Sequence, residues 1–343
     1  MNIAVIGTGS WGTALAKVLN DSGQQVIMWG RNQATVDEIN HMRTNHMYLS
    51  DFVMDPAIEA TTDLEKAVIS AEMILIVLPT KAIRTFAQKL RPILMSKALQ
   101  PILVHATKGL EHGSKLRISQ VLAEELGNYL NEPVAVLSGP SHAEEVARED
   151  ITVVTAASSS LEIARKVQSV FMNNYFRVYS NTDIIGVELG GALKNIIALA
   201  SGVLSGSNYG DNARAALMTR GLAEITRLGV ALGSDPLTFS GLSGVGDLIV
   251  TCTSQHSRNF KAGYLLAQGK KKETVDQEVQ MVVEGFSTCK VAYEIAEELG
   301  IDMPITAGLY QLIYEAADVT ETVTQLMERE GKQEASLGHY EQK

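Results

Sequence analysis

The apolar, β-prone run Asn2–Ile6 passes directly into Gly7-Thr8-Gly9-Ser10-Trp11-Gly12 and then into the helix-favouring Thr13-Ala14-Leu15-Ala16-Lys17. No other feature restricts the chain so strongly. Between a strand and a helix, Gly7 makes the tight turn, Gly9 lets the backbone approach a pyrophosphate, and Gly12 allows helix to pack closely on sheet. The free N–H groups of the helix start then suit a diphosphate. Trp11 either packs in the core or covers the dinucleotide that such a turn accepts.

The pattern repeats. Gln25–Trp29, Met73–Val77, Ile102–Ala106, Val134–Leu137, Thr152–Ala156 and Phe176–Tyr179 read as strands, several of them almost wholly apolar and therefore covered on both faces. Amphipathic segments lie between them, as in Leu161–Phe171, where Ile163, Val167, Val170 and Phe171 recur at helical spacing. These alternations predict a Rossmann-type, doubly wound parallel sheet over 1–181. From Thr182 to Leu326 the chain reads as helix after helix, which predicts an all-helical domain over 182–327. The polar residues 328–343 read as a loose tail.

The length of 343 residues suits two such domains. With 29 basic against 39 acidic side chains the formal charge is −10, which argues against nucleic-acid binding. Positive groups for an anionic ligand must then be local. Cys252 and Cys289 form neither a disulfide framework nor a metal-ligand pattern. Apolar runs such as Met73–Leu78 fall short of a membrane span and the N-terminus lacks the marks of a signal peptide, so a cytoplasmic protein without membrane insertion is expected. The apolar helical half is compatible with a homodimer.

Open α/β sheets bind ligands beyond the carboxyl ends of their strands. After the second strand stands Gly30-Arg31-Asn32, with no carboxylate to take a ribose 2′-OH. Arg31 could pair with a 2′-phosphate, which predicts that NADPH is accepted and preferred; otherwise it is a solvated surface charge. Thr107-Lys108-Gly109 places a lysine at another strand end. In Ser138-Gly139-Pro140-Ser141-His142-Ala143-Glu144, Ser141 and Glu144 have capping-box spacing. On a helix, Val187, Gly191, Lys194 and Ala198 share a face, and a lysine there is desolvated unless it meets something anionic or reactive. The glycines of Gly241-Leu242-Ser243-Gly244-Val245-Gly246 present Asp247. Ser257-Arg258-Asn259 reads as an N-cap followed by a forked donor, a place to receive phosphate. His256 reads as a bystander, and Cys252 has no adjacent base to activate it.

The strings GTGSWGTALA, HATKGLE, LSGPSHAEEVA, VELGGALKNIIALASG, GLSGVGDLIVTCTSQHSRN and VVEGFSTCKVAYEIA resemble the bacterial NAD(P)-dependent glycerol-3-phosphate dehydrogenase family, in order, to about Tyr314. The resemblance implies a Rossmann domain plus a helical domain. It also implies interconversion of sn-glycerol 3-phosphate and dihydroxyacetone phosphate with NADP(H) or NAD(H), without a metal, feeding phospholipid synthesis. It makes Lys194 the catalytic acid/base. Lys108, Gly139, Ser141, Asp247, Ser257, Arg258 and Asn259 fall on the substrate side. Gly7, Gly9, Ser10, Trp11, Gly12, Arg31, Lys108, Ala143, Arg258, Val282 and Glu284 fall on the cofactor. In the chemistry so implied, desolvation and the Lys108 ammonium lower the pKa of Lys194, and Asp247 opposes that shift.

The residues alone reach only an NAD(P)-dependent oxidoreductase with an anionic substrate. A two-domain β-hydroxyacid dehydrogenase acting on a carboxylate satisfies the same residues, and a non-catalytic dinucleotide sensor satisfies the glycine turn.

Overall fold

The computed structural model describes residues 1–50, 52–255, 257–279, 282–331 and 334, so His256 and most of the 328–343 stretch lie outside the described residues. The first half forms one eight-stranded sheet from β1 (Asn2–Ile6), β2 (Gln25–Trp29), β3 (Glu59–Thr61), β4 (Met73–Ile76), β5 (Ile102–His105), β6 (Ala135–Ser138), β7 (Thr152–Ala157) and β8 (Phe176–Asn181). Their spatial order is β3-β2-β1-β4-β5-β6-β7-β8. β1 pairs in parallel with both β2 and β4, so strand order reverses at β1 and a crevice opens there. Alternation along the strands explains the two-sided burial. Ile3, Val5, Met73 and Leu75 enter the core on one face, and Ala4, Ile6, Ile74 and Ile76 enter the core on the other.

Two expectations need correction. The sheet is not wholly parallel, because β7 runs antiparallel to β6 and β8 follows the direction of β7. Between β6 and β7 the chain forms only the five-residue helix Ala143–Ala147, which does not run back along the sheet as a crossover helix does, and β7 returns antiparallel. β7 and β8, by contrast, are joined through the full helix Leu161–Phe171 and pair in parallel. The three-residue β3 gave no apolar run to read.

The helical half is organised by Ile184–Gly206, almost all of it buried. This helix is long and apolar enough to cross a membrane by length and composition, which corrects the expectation that no segment is, but 89% of its apolar window is buried inside the protein. Leu193, Ile197, Phe239 and Phe286 share its core. Helix Arg258–Ala267 crosses it at backbone contact: a Cβ on Gly202 would lie 2.0 Å from the Phe260 carbonyl oxygen, and one on Gly263 would lie 1.9 Å from that of Leu199. Only glycine permits that approach, which fixes the helix that opens with Arg258 against Ile184–Gly206.

Candidate active site

The glycine turn is built as its spacing demands. Gly7 has φ +127°, and a Cβ there would lie 2.4 Å from the Val77 carbonyl oxygen. A Cβ on Gly12 would lie 2.1 Å from the Gly7 oxygen. Gly9 differs, since its backbone is extended and a Cβ would meet nothing within 4 Å. The protein itself does not require glycine at that point, so the open space beside it suits a group brought in from outside. Gly9 is also the N-cap of helix Ser10–Asp21 and supplies no capping side chain, which leaves the first N–H groups available to an anion. The cradle therefore fits the diphosphate of a dinucleotide.

Trp11 does pack, half-buried, against the sheet core, and its indole N–H is buried without a partner among the described residues. The Ser10 hydroxyl donates to the Tyr48 carbonyl at 2.7 Å. Asn45 pins the same segment, donating to the Thr8 carbonyl and to Thr13 Oγ1, each at 2.9 Å. Nothing in the sequence around Asn45 announced this. At the end of β2 a Cβ on Gly30 would lie 2.7 Å from Thr8 Cγ2, so Arg31 follows immediately beside the glycine turn. Its side chain is exposed and makes no hydrogen bond or ion pair among the described residues.

The second group of residues gathers around one carboxylate. Asp247, fully buried at the start of helix Asp247–Thr253, accepts from Lys108 Nζ at 2.8 Å through Oδ2 and from Lys194 Nζ through Oδ1. Lys108 also donates to the Gly139 carbonyl at 3.0 Å. Lys194 also donates to Thr251 Oγ1 at 2.8 Å, and that hydroxyl donates to the Asp247 carbonyl at 2.6 Å. Thr251 was not singled out from the sequence, although its i+4 spacing from Asp247 puts it on the same helix face. Helix Ile184–Gly206 approaches closely here because of Gly191, where a Cβ would lie 2.6 Å from Ser138 Oγ.

Burial lowers the Lys194 ammonium to about 7; Asp247 resists the fall, and the Lys108 charge adds to it. An amine at that value exchanges protons readily near neutrality, unlike an ordinary lysine. The Cys252 thiol nearby is buried and pushed up to about 12 by desolvation, which leaves it inert as a nucleophile.

Ser257 caps helix Arg258–Ala267, accepting from the Phe260 N–H at 3.2 Å. Arg258 stays accessible, yet surrounding protein crowds its guanidinium and lowers its pKa, with Glu284 and Glu144 pulling the other way. It makes no hydrogen bond or ion pair among the described residues, as suits a donor left available to an anion. Asn259 is occupied differently, because it donates to Asn195 Oδ1 at 2.9 Å and accepts from the Gly285 N–H at 2.9 Å. Its side chain therefore braces three helices. Glu284, at the start of helix Glu284–Leu299, accepts from the Thr80 N–H at 3.1 Å, and burial raises its carboxyl pKa. Val282 is half-buried just before it, and Ala143 is buried against the sheet core.

One local expectation fails. Ser141 and Glu144 form no capping box: the short helix begins at Ala143 with His142 as its uncapped N-cap, and the Ser141 hydroxyl turns to the Gly139 carbonyl at 2.9 Å. The φ of +150° at Gly139 bends the chain so that this oxygen receives both Ser141 and Lys108. Among the described residues no group of three or more His, Cys, Asp or Glu side chains could hold a metal ion.

With this geometry in place, known proteins give a consistent match. The family profile "NAD-dependent glycerol-3-phosphate dehydrogenase N-terminus" matches residues 2–164, and the corresponding "C-terminus" profile matches 183–324. The "Glycerol-3-phosphate dehydrogenase [NAD(P)+]" of Lacticaseibacillus casei is 56% identical over 97% of this chain and 96% of that protein. The enzyme of the same name from Streptococcus uberis is 56% identical over 97% of each. The crystal structure of glycerol-3-phosphate dehydrogenase from Coxiella burnetii superposes with a TM-score of 0.89 at 38% identity, covering 95% of this chain and 98% of that one.

Proposed function

The chain belongs to the NAD-dependent glycerol-3-phosphate dehydrogenase family, and from that premise we propose which of its residues carry each part of the reaction. It is an NAD(P)-dependent oxidoreductase that interconverts dihydroxyacetone phosphate and sn-glycerol 3-phosphate, a precursor of glycerophospholipids. The observation that carries the assignment of roles is the cluster in which Lys108 and Lys194 both donate to the buried Asp247, with Arg258 accessible and without a hydrogen bond or ion pair among the described residues.

NAD(P)H bound along the glycine turn supplies the hydride. Reduction at the ketone carbon builds negative charge on its oxygen, and Lys194 donates a proton to that oxygen. Asp247 orients Lys194 and keeps part of the population protonated near neutrality. Lys108 adds positive charge and holds Asp247 from the other side. Arg258, with the N–H groups that open its helix, grips the substrate phosphate. Gly139, Ser141, Ser257 and Asn259 shape that end of the cleft; the Asn259 side chain acts through its brace on Asn195 and Gly285. Gly7, Gly9, Ser10, Trp11, Gly12, Ala143, Val282 and Glu284 border the cofactor, and Arg31 reads its 2′-phosphate. Residues 1–181 thus serve the dinucleotide and 182–327 the substrate. We place the enzyme in the cytoplasm without membrane insertion, a reading supported by the sequestration of Ile184–Gly206 in the core.

Loss of absorbance at 340 nm on mixing the protein with NADPH and dihydroxyacetone phosphate tests the reaction, and inertness of both NADPH and NADH would overturn it. Arg258→Ala is expected to raise KM for dihydroxyacetone phosphate by roughly 100-fold, the worth of a lost charge-assisted contact, with a smaller change in kcat. An unaltered KM would remove Arg258 from the phosphate site. Arg31→Ala is expected to lower the NADPH/NADH ratio of kcat/KM by roughly tenfold. A constant ratio would make Arg31 a surface charge.

A further inference from the structure

Helix Ile184–Gly206 carries a second buried ionisable side chain, one for which the chemistry above has no use. Glu188 is 6% exposed. Its carboxylate accepts from Arg117 Nη1 at 2.5 Å, from the Ser119 N–H at 2.8 Å and from Ser119 Oγ at 2.6 Å. His105 Nε2 lies 3.1 Å from its Oε1. All these partners belong to one stretch of the sheet half. His105 ends β5, Arg117 and Ser119 open helix Ile118–Leu126, and Lys108 stands between them.

The same stretch is fastened to the helical half elsewhere. Leu110 enters the helical core with Leu189 and Leu193, and it forms an antiparallel bridge with Arg117. Lys115 pairs with Glu298 and approaches Glu294 at 3.8 Å. Adhesion alone does not explain Glu188, since desolvating a carboxylate and a guanidinium carries a cost that an apolar pair avoids. Directional bonds offer something an apolar contact does not: they fix the stretch in one register against the helix.

We propose that Glu188 is a positioning residue for the reaction: by gripping both ends of the 105–119 stretch it holds Lys108 at the distance from Asp247 and Lys194 that the chemistry uses. The proposal rests on the reading of Lys194 as proton donor and Lys108 as its neighbouring charge. Lys194 faces Asp247, Lys108, Thr251 and Cys252, with His142 farther off; Glu188 faces Arg117 and His105. Once freed, Lys108 withdraws a charge that favours the neutral amine, and Asp247 is left to Lys194 alone. Lys194 then keeps its proton to higher pH.

The test uses Glu188→Gln, which keeps the volume but turns an amide donor toward donors. Dihydroxyacetone phosphate reduction is followed across pH, with NADPH Kd and Tm measured alongside. The expected result is a kcat lower by roughly tenfold, an alkaline limb moved up by about half a pH unit or more, and an NADPH Kd within about twofold. Glu188→Asp should bring the limb part of the way back. If the glutamine variant does not fold, Arg117→Lys gives the same reading. A lower Tm with kcat reduced by one factor at every pH and an unmoved limb would overturn the proposal and leave Glu188 a structural staple. Near-normal kcat in Lys194→Ala would instead overturn the underlying assignment, so the two failures are distinguishable.

Discussion

Lys194→Ala is expected to reduce kcat for dihydroxyacetone phosphate by roughly a thousandfold or more while leaving NADPH Kd within about twofold. The cofactor cradle lies at the glycine turn and does not involve this side chain, whereas in the proposed roles the proton for the substrate oxygen comes from it. Folding should survive, because Asp247 keeps Lys108 as its counter-charge at 2.8 Å. The pH dependence gives an independent check with a defined sign. Burial brings the Lys194 ammonium down to about 7, with Asp247 opposing and Lys108 assisting. Ketone reduction needs the protonated form, so kcat/KM of the free enzyme should fall as pH rises through about 7. Oxidation of glycerol 3-phosphate needs the free amine and should fall as pH drops through the same value. Opposite limbs from one group, both absent in the alanine variant, identify it. Near-normal kcat in the variant, or limbs of the same sign in both directions, would remove Lys194 from the role.

Local chemistry made part of this site readable in advance. The glycine turn was legible because tight turning, close approach and helix packing each exclude a Cβ at a fixed spacing, and β1, β2 and helix Leu161–Phe171 fall where the sequence put them. Lys194 was legible as a charge amid apolar helix, and Ser257 as a cap with a donor behind it. The Ser141-x-x-Glu144 spacing misled because Gly139 bends the chain before a helix can use it. The reversed direction of β7 goes with the short helix Ala143–Ala147 between it and β6, and strand patterning does not encode strand direction. Asn45 on Thr13, and Arg117 on Glu188, join residues 32 and 71 apart in the chain. Such pairings arise from tertiary packing, and each partner alone looks like an ordinary polar residue.

Asp247→Asn should produce the other large effect, through charge rather than shape. The asparagine keeps the volume but leaves the Lys108 and Lys194 ammonium groups facing each other in a buried setting without a counter-ion. Asp247 is what holds the Lys194 pKa up against burial, so its loss drives that value further down and empties the amine of its proton at neutral pH. Reduction at pH 7 should therefore fall by roughly a hundredfold or more, with the alkaline limb displaced to lower pH. Stability follows the same proton. The unfolded chain keeps Lys194 charged to about pH 10, whereas the native variant releases the proton earlier than the native parent. Above pH 7 both native forms hold the neutral amine and Lys194 adds nothing to their difference. Below it the parent has regained its proton and the variant has not, so the variant's deficit must widen as pH falls. Removing one partner from a buried pair suggests a deficit of about 3 kcal/mol or more at the acid end. Urea unfolding at pH 8 and at pH 5.5 measures it, and equal deficits at both, with an unmoved limb, would show that Asp247 does not control the charge on Lys194.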